Sequence, residues 1–157
     1  MIYKKLTLDT TVIAKGLVPP RRKKMDGIYD ETLRLHNLAR DILDKIESGD
    51  YNLYIPSIAL VETGAVVSRI THKKHIAKDA ISFLKGVSAD IFYDYQILDH
   101  AIDTGIETKA SGFDTIFITC AKLTNSILIT DDKRMFEIGN RYGIESKLLR
   151  NMVNDKI

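Results

Sequence analysis

The sequence predicts an α/β fold, a mainly parallel sheet of about five strands flanked by helices. Three observations carry that expectation. Short apolar runs of strand length alternate along the chain with longer stretches whose apolar residues recur every three or four positions, the pattern of parallel strands joined through helices. No repeat period, low-complexity block or Pro/Gly/Ser-rich linker breaks the alternation, so residues 1–157 are expected to form one domain. Leu, Ile, Val and Phe make up about 31% of the chain, well above the roughly 20% below which chains tend to stay disordered.

Taken in order, KKLTL (4–8) reads as the first strand. From about Asp30 to Ser48, Leu35, Leu38, Ile42 and Ile46 recur at helical steps, with Gly49 as the stop. YNLYI (51–55) is a second strand, and Pro56-Ser57 opens a helix to about Arg69 with Ser57 as its N-cap. Lys74 to Lys85 reads as helix and ADIFYDY (89–95) as strand. There, alternation with Ile91 and Phe92 assigns Tyr93 and Tyr95 to packing rather than to base stacking. Residues 97–109 and 112–124 are helical, and NSILIT (125–130) is an apolar strand core. A helix from about Lys133 to Arg141 ends at Gly143, before a weak strand near 145–149.

Composition narrows the function classes. Lys and Arg number 23 against 21 Asp and Glu, a net charge of +2, whereas a dedicated duplex-DNA binder is usually more lopsided. No run of about 18 uncharged apolar residues offers a membrane span. The opening MIYKKLTLDTTVIAK is interrupted by Asp9 and closed by Lys15, too polar for a signal peptide, so a cytoplasmic protein is expected. The single cysteine, Cys120, can form no internal disulfide. It sits in an apolar helix without a paired His, which argues against a thiol nucleophile.

The carboxylates are more informative. In parallel α/β sheets, chemistry collects beyond the carboxyl ends of the strands. Asp9 directly follows LTL, and the Asp131-Asp132 pair directly follows SILIT. Either could simply cap a helix. Glu62 is harder to explain as structure, because its helical neighbours Ile58, Ala65 and Val66 place it on an apolar face. Asp114 likewise neighbours Phe117, Ile118 and Ala121, although Ser111-x-x-Asp114 has the form of a capping box. An ionised carboxylate on a buried face is costly unless a cation or donor compensates it. Four such acids brought together would raise one another's pKa unless a divalent ion neutralised them, and oxygen-only ligation favours Mg²⁺ or Mn²⁺ over zinc. No Cys/His cluster competes: His72 and His75 read as a solvated basic face, and His36 and His100 are isolated.

The ordered set LDTTVIAK with Asp9, PSIALVETGAV with Glu62, GFDTIFITCAK with Asp114 and ILITDDKRM with Thr130 and Asp132 resembles a PIN domain, a three-layer α/β fold. More narrowly it is similar to the VapC-type toxin ribonucleases of prokaryotic toxin–antitoxin pairs. The resemblance runs from about Tyr3 to Leu149, and the spacings of 53, 52 and 18 residues between successive acids are what make it specific. It implies a metal-dependent endoribonuclease with Asp9, Glu62, Asp114 and Asp132 as metal ligands and Thr130 as the hydroxyl of the last motif. Asp132 is favoured over Asp131 because the family's fourth acid stands two places after that hydroxyl. Asp9 and Asp114 would be the main ligands of Mg²⁺ or Mn²⁺. RNA as substrate, a homodimer and a VapB-like antitoxin partner are implied as well. The chain departs from the family in its long segment between Asp9 and Glu62, carrying PPRRKK, and in Thr10-Thr11, where many members have Asn or Ser nearby.

Two acid-free basic windows could serve RNA or remain ordinary surface, and the first could instead be a docking loop for a partner: Lys15, Arg21, Arg22, Lys23 and Lys24, and Arg69, Lys73, Lys74 and Lys78. The rivals are an RNA-processing PIN nuclease without antitoxin and a catalytically inactive PIN-like binding module. A receiver domain also gathers acids at strand ends. It places its acidic pair after the first strand, however, whereas this pair follows a late one.

Overall fold

The computed structural model describes residues 3–153 and 157. Five strands, β1 (Lys4–Leu8), β2 (Tyr51–Pro56), β3 (Ser88–Phe92), β4 (Ile127–Thr130) and β5 (Ser146–Leu148), form one sheet in the order β3-β2-β1-β4-β5. Every adjacent pair is parallel. The chain therefore builds outward from β1 through β2 to β3, then crosses to the other side of β1 for β4 and β5. The order reverses between β1 and β4, and in such sheets the crevice beyond the strand ends at that reversal is the usual place for a site.

The helices are α1 (Thr10–Leu17), α2 (Gly27–Glu47), α3 (Ile58–Thr71), α4 (Lys74–Val87), α5 (Asp94–Thr108), α6 (Gly112–Thr124) and α7 (Lys133–Arg141). Both faces of the central strand are covered, as its alternating side chains require. Thr7 faces α6, where its hydroxyl meets Ser126 at 2.6 Å and the Cys120 sulfur at 3.9 Å. Its neighbours Leu6 and Leu8 point the other way and are fully buried. They join a core with Leu53, Ile55, Leu128 and Ile129 from the strands and Ala39, Ile42 and Leu43 from α2.

Local chemistry sets the helix limits. Asp26 accepts from the Tyr29 N–H at 3.1 Å and starts α2 about three residues earlier than the apolar periodicity announced. The helix ends on Gly49 at φ +85, with Asp50 N–H bonding Lys45 O and Gly49 N–H bonding Ile46 O, a Schellman closure. The helix α1, for which periodicity gave no sign, packs against α2 through Gly16. A methyl group there would lie 2.6 Å from Leu43 Cδ1 and 3.0 Å from the Ala39 carbonyl oxygen.

The structure corrects the sequence reading at two places. Ser57 does not cap α3: its backbone is already helical and its hydroxyl donates instead to Asp94 at 3.1 Å. The third strand stops at Phe92, because the Gln96 side-chain oxygen takes the Tyr93 N–H at 2.8 Å and opens α5 there. Tyr93 and Tyr95 are consequently exposed and stack on each other, ring centroids 6.2 Å apart, rather than packing into the core.

Candidate active site

Asp9 is the first residue beyond β1, and its N–H still bonds Ile129 O of β4 at 3.1 Å, so it stands at the reversal point of the sheet. Its carboxylate is buried, with 3% exposure. Oδ1 accepts from Val12 N–H at 2.8 Å, capping α1, and from the Thr11 hydroxyl at 2.7 Å. Oδ2 accepts from the Thr130 hydroxyl. Burial pushes the Asp9 carboxyl above its ordinary range, and the bonds from Thr130, Val12, Thr11 and the Asp131 backbone oppose that rise only in part. No Lys, Arg or His among the described residues pairs with it.

Thr130 closes β4 and works in two directions. It donates to Asp9, and its oxygen accepts the Asp132 N–H at 2.9 Å. Asp9 and Asp132 are thus held in register by one hydroxyl. Asp132 is exposed and caps α7, its Oδ1 accepting from Met135 N–H at 3.0 Å.

The neighbouring Asp131 has a different fate. It is buried, with its side chain 6% exposed, but two cations meet it: Arg150 Nε at 2.9 Å from Oδ1 and Lys15 Nζ at 3.2 Å from Oδ2. Arg150 Nη2 also donates to its backbone carbonyl at 2.8 Å. Asp131 is therefore met by two cations within the protein, whereas Asp9 is buried with hydrogen-bond donors but no cation. Nothing in the sequence announced Arg150 in this role, since it stands beyond β5, 19 positions after Asp131.

Glu62, half-buried on α3, receives the Thr10 hydroxyl at 2.5 Å from its Oε2, which ties the second acid to the residue after Asp9. Asp114 stands in the first turn of α6. A helix returning into a parallel strand runs antiparallel to it, so the start of α6, which leads to β4, lies at the same strand-end edge as Asp9. The capping-box form of Ser111-x-x-Asp114 is not realised, because Ser111 makes no side-chain capping bond. Asp114 is half-buried and has no hydrogen-bond or ion-pair partner among the described residues.

Hydrogen bonds thus connect Asp9 with Thr130, Thr130 with Asp132, and Thr10 with Glu62. Asp114 reaches the same edge by topology alone. Among the described residues, no three His, Cys, Asp or Glu side chains form a ready-made cation cage. The donor set nonetheless fits a hard divalent ion: carboxylate and hydroxyl oxygens only, around a buried, unpaired carboxylate. Mg²⁺ in particular is commonly held by one or two carboxylates, with water and substrate phosphate completing the shell.

The remaining expected sites resolve simply. His72, His75 and His100 are exposed, and His36 is half-buried with Nδ1 2.6 Å from Lys15 O. The Cys120 thiol is buried and desolvation pushes it up to about 12, so it is no nucleophile at neutral pH.

A family model for the PIN domain matches residues 28–140, which include Glu62, Asp114 and Asp132 and leave Asp9 upstream. Among solved structures, FitAcB from Neisseria gonorrhoeae superposes with a TM-score of 0.57 at 15% identity, covering 94% of this chain and 99% of that one. PAE2754 from Pyrobaculum aerophilum superposes with a TM-score of 0.55 at 12% identity, covering 86% of this chain and 79% of that one. No curated protein sequence matches. At these identities the likeness to the two structures is one of fold.

Proposed function

Because the chain belongs to the PIN domain family, whose members are typically nucleases, we propose that it is a metal-dependent endoribonuclease and the toxin of a type II toxin–antitoxin pair. The observation that carries the hydrolytic reading is the buried Asp9 carboxylate that no cation meets, tied through Thr130 to Asp132 at the reversal point of the sheet. Burying a charge without a partner is expensive, and a divalent cation offsets that cost. The toxin assignment rests on the ordered acidic motifs shared with VapC-type proteins.

Asp9 and Asp114 are the main ligands in this reading, with Glu62 and Asp132 completing the shell directly or through water. When bound, Mg²⁺ or Mn²⁺ would lower the pKa of a water so that it can lose a proton and attack phosphorus, and would supply charge to stabilise the phosphate oxygens. Thr130 holds Asp9 and Asp132 in register, and Thr10 orients Glu62. Asp131 keeps Lys15 and Arg150 at the edge of the site without offering a free charge. Glu62 and Asp132, being less buried than Asp9, are placed to orient an attacking water and to accept its proton.

The homodimer expected of such toxins has a candidate surface on α5 and α6, where exposed Leu98, Ile102 and Ile106 line a cavity of about 550 Å³ and Phe113 is exposed as well. No helix among the described residues is long and apolar enough to cross a membrane. The deciding experiment incubates the purified chain with a mixed RNA pool and Mn²⁺ or Mg²⁺, with and without chelator, and maps the cut ends. Cleavage that needs the ion and is lost in Asp114→Asn supports the assignment. An Asp114→Asn variant that cleaves at the parental rate overturns it.

A further inference from the structure

We propose that the groove between the α1–α2 connection and α3 binds the single-stranded RNA flanking the cleaved phosphate, with Arg21 as a base-stacking plane and Lys23 and Lys24 as phosphate contacts. The inference rests on the nuclease reading and assigns the basic segment that the acidic site does not use. The groove has a volume of about 310 Å³, and its lining includes Thr11, Val18, Pro20, Arg21, His36 and Val66. It neighbours the acids: Thr11, one of its lining residues, donates its hydroxyl to Asp9. In this reading a strand bound at the acids runs on into it.

The charges of the basic segment, of which Lys15 and Arg21 line the groove, separate into two groups. Lys15 is committed to Asp131, and Arg22 to Asp26 through a 2.7 Å contact. Arg21, Lys23 and Lys24 are exposed and have no carboxylate partner among the described residues. Arg21 is nonetheless fixed in place: its Nη1 donates to Ile70 O at 3.1 Å and to Thr71 O at 3.4 Å, at the end of α3. These bonds hold the guanidinium plane at the groove wall and leave its charge unneutralised, the condition under which Arg stacks on an unpaired base. The same bonds bring the second basic window, with exposed Arg69, Lys73 and Lys74, beside the first. His36 adds a polar reader. Its Nδ1 donates to Lys15 O at 2.6 Å, which leaves Nε2 as the ring nitrogen available to a ligand on a residue lining the groove.

Apolar walls, a fixed planar cation and flexible lysines beyond it match alternating bases and phosphates better than the surface of a folded partner. The test is fluorescence anisotropy of a labelled single-stranded RNA octamer against the full chain in EDTA, across a range of salt. Each phosphate contact on a single strand contributes about 0.7 to the salt slope. Lys23→Ala/Lys24→Ala should lower the slope by about 1.4, and the charge-matched control Lys85→Ala/Lys109→Ala should leave it unchanged. Arg21→Lys keeps the charge and loses the plane, so it should weaken binding about tenfold at an unaltered slope. Equal slopes for the two double variants, or parental affinity for Arg21→Lys, would overturn the proposal. So would an acidic peptide of equal charge that binds as tightly as the RNA and responds equally to Arg21→Lys. The outcome is separable from the nuclease reading: ion-dependent cleavage with unchanged slopes removes only the groove assignment. Slope loss without cleavage removes only the nuclease.

Discussion

Adjacent aspartates at the end of β4 should behave oppositely, and the contrast tests the site directly. Asp131 is 6% exposed in its side chain and faces Arg150 and Lys15, which are 51% and 33% exposed. In Asp131→Asn those two cations can turn to solvent, so the loss is smaller than the 3–5 kcal/mol of a fully buried pair. Two charge-assisted contacts, discounted for screening by the exposed partners, give about 2–3 kcal/mol. For a chain of this length that lowers the melting temperature by roughly 4–12 °C. Asp132 is exposed, and asparagine caps helices as well as aspartate does. Asp132→Asn therefore forfeits only the interaction of its charge with the α7 dipole, about 0.3–1 kcal/mol and no more than about 4 °C. Activity should invert the order. Loss of the Asp132 charge should reduce ion-dependent RNA cleavage by on the order of tenfold or more, the scale of outer-ligand losses, while Asp131→Asn assayed below its melting temperature should cleave near the parental rate. Thermal melts and a single-turnover cleavage assay on both variants suffice. Parental cleavage by Asp132→Asn, beside a stable but inactive Asp131→Asn, would reverse the assignment and refute the argument from charge compensation.

Titrating Mn²⁺ to a hundredfold excess over its dissociation constant should stabilise the parent by about 2.7 kcal/mol, and chemical denaturation of Asp9→Asn should show most of that gain gone. Without metal, the stability difference between Asp9→Asn and the parent should move in favour of asparagine as pH rises above about 4. Burial raises the Asp9 pKa, so its favourable protonated form is kept below the unfolded value of about 3.9 and lost through the folded one. Urea midpoints that keep a constant offset from pH 4 to 8 would contradict this. Gly16→Ala should destabilise the chain by about 1–3 kcal/mol, since its methyl meets Leu43 and the backbone of Ala39, and differential scanning calorimetry reads the loss. Cys120, buried with its thiol pushed up to about 12, should react with a thiol reagent at pH 8 only as fast as the protein unfolds.

Much of the fold was legible because periodicity is local. α6 and α7 begin and end where the repeat of apolar residues places them, and all five strands fall on the short apolar runs. The failures occur where a distant or side-chain bond overrides the repeat. α1 is only eight residues and opens with β-branched residues, so its helix depends on the cap from Asp9 and on contact with α2. Tyr93 and Tyr95 alternate like strand residues, yet one hydrogen bond from the Tyr93 N–H to the Gln96 side-chain oxygen turns the chain into α5 and leaves both rings outside. The same limit applies at the site. The acids and the Thr130 hydroxyl could be named from the sequence, but the bond from Thr10 to Glu62 and the cations on Asp131 join residues 52, 19 and 116 positions apart in the chain.

The choice between a capping role and a ligand role for Asp9 dissolves once its two oxygens are considered separately. Oδ1 caps α1 through Val12 and takes the Thr11 hydroxyl. A buried cap needs no more than that, and a neutral serine, threonine or asparagine supplies it without a desolvated charge. Oδ2 takes the Thr130 hydroxyl, and the Asp131 backbone adds a further hydrogen bond to the carboxyl, but no cation joins them. If capping were the whole requirement, a neutral side chain would be the more stable choice, because burial raises the free energy of the ionised form. Asp131, a few residues from it in space along β4, shows how this protein treats a buried carboxylate that is only structural: it brings two cations to it. That Asp9 has none, while sharing Thr130 with a second exposed acid, is the physical reason to place a divalent ion there.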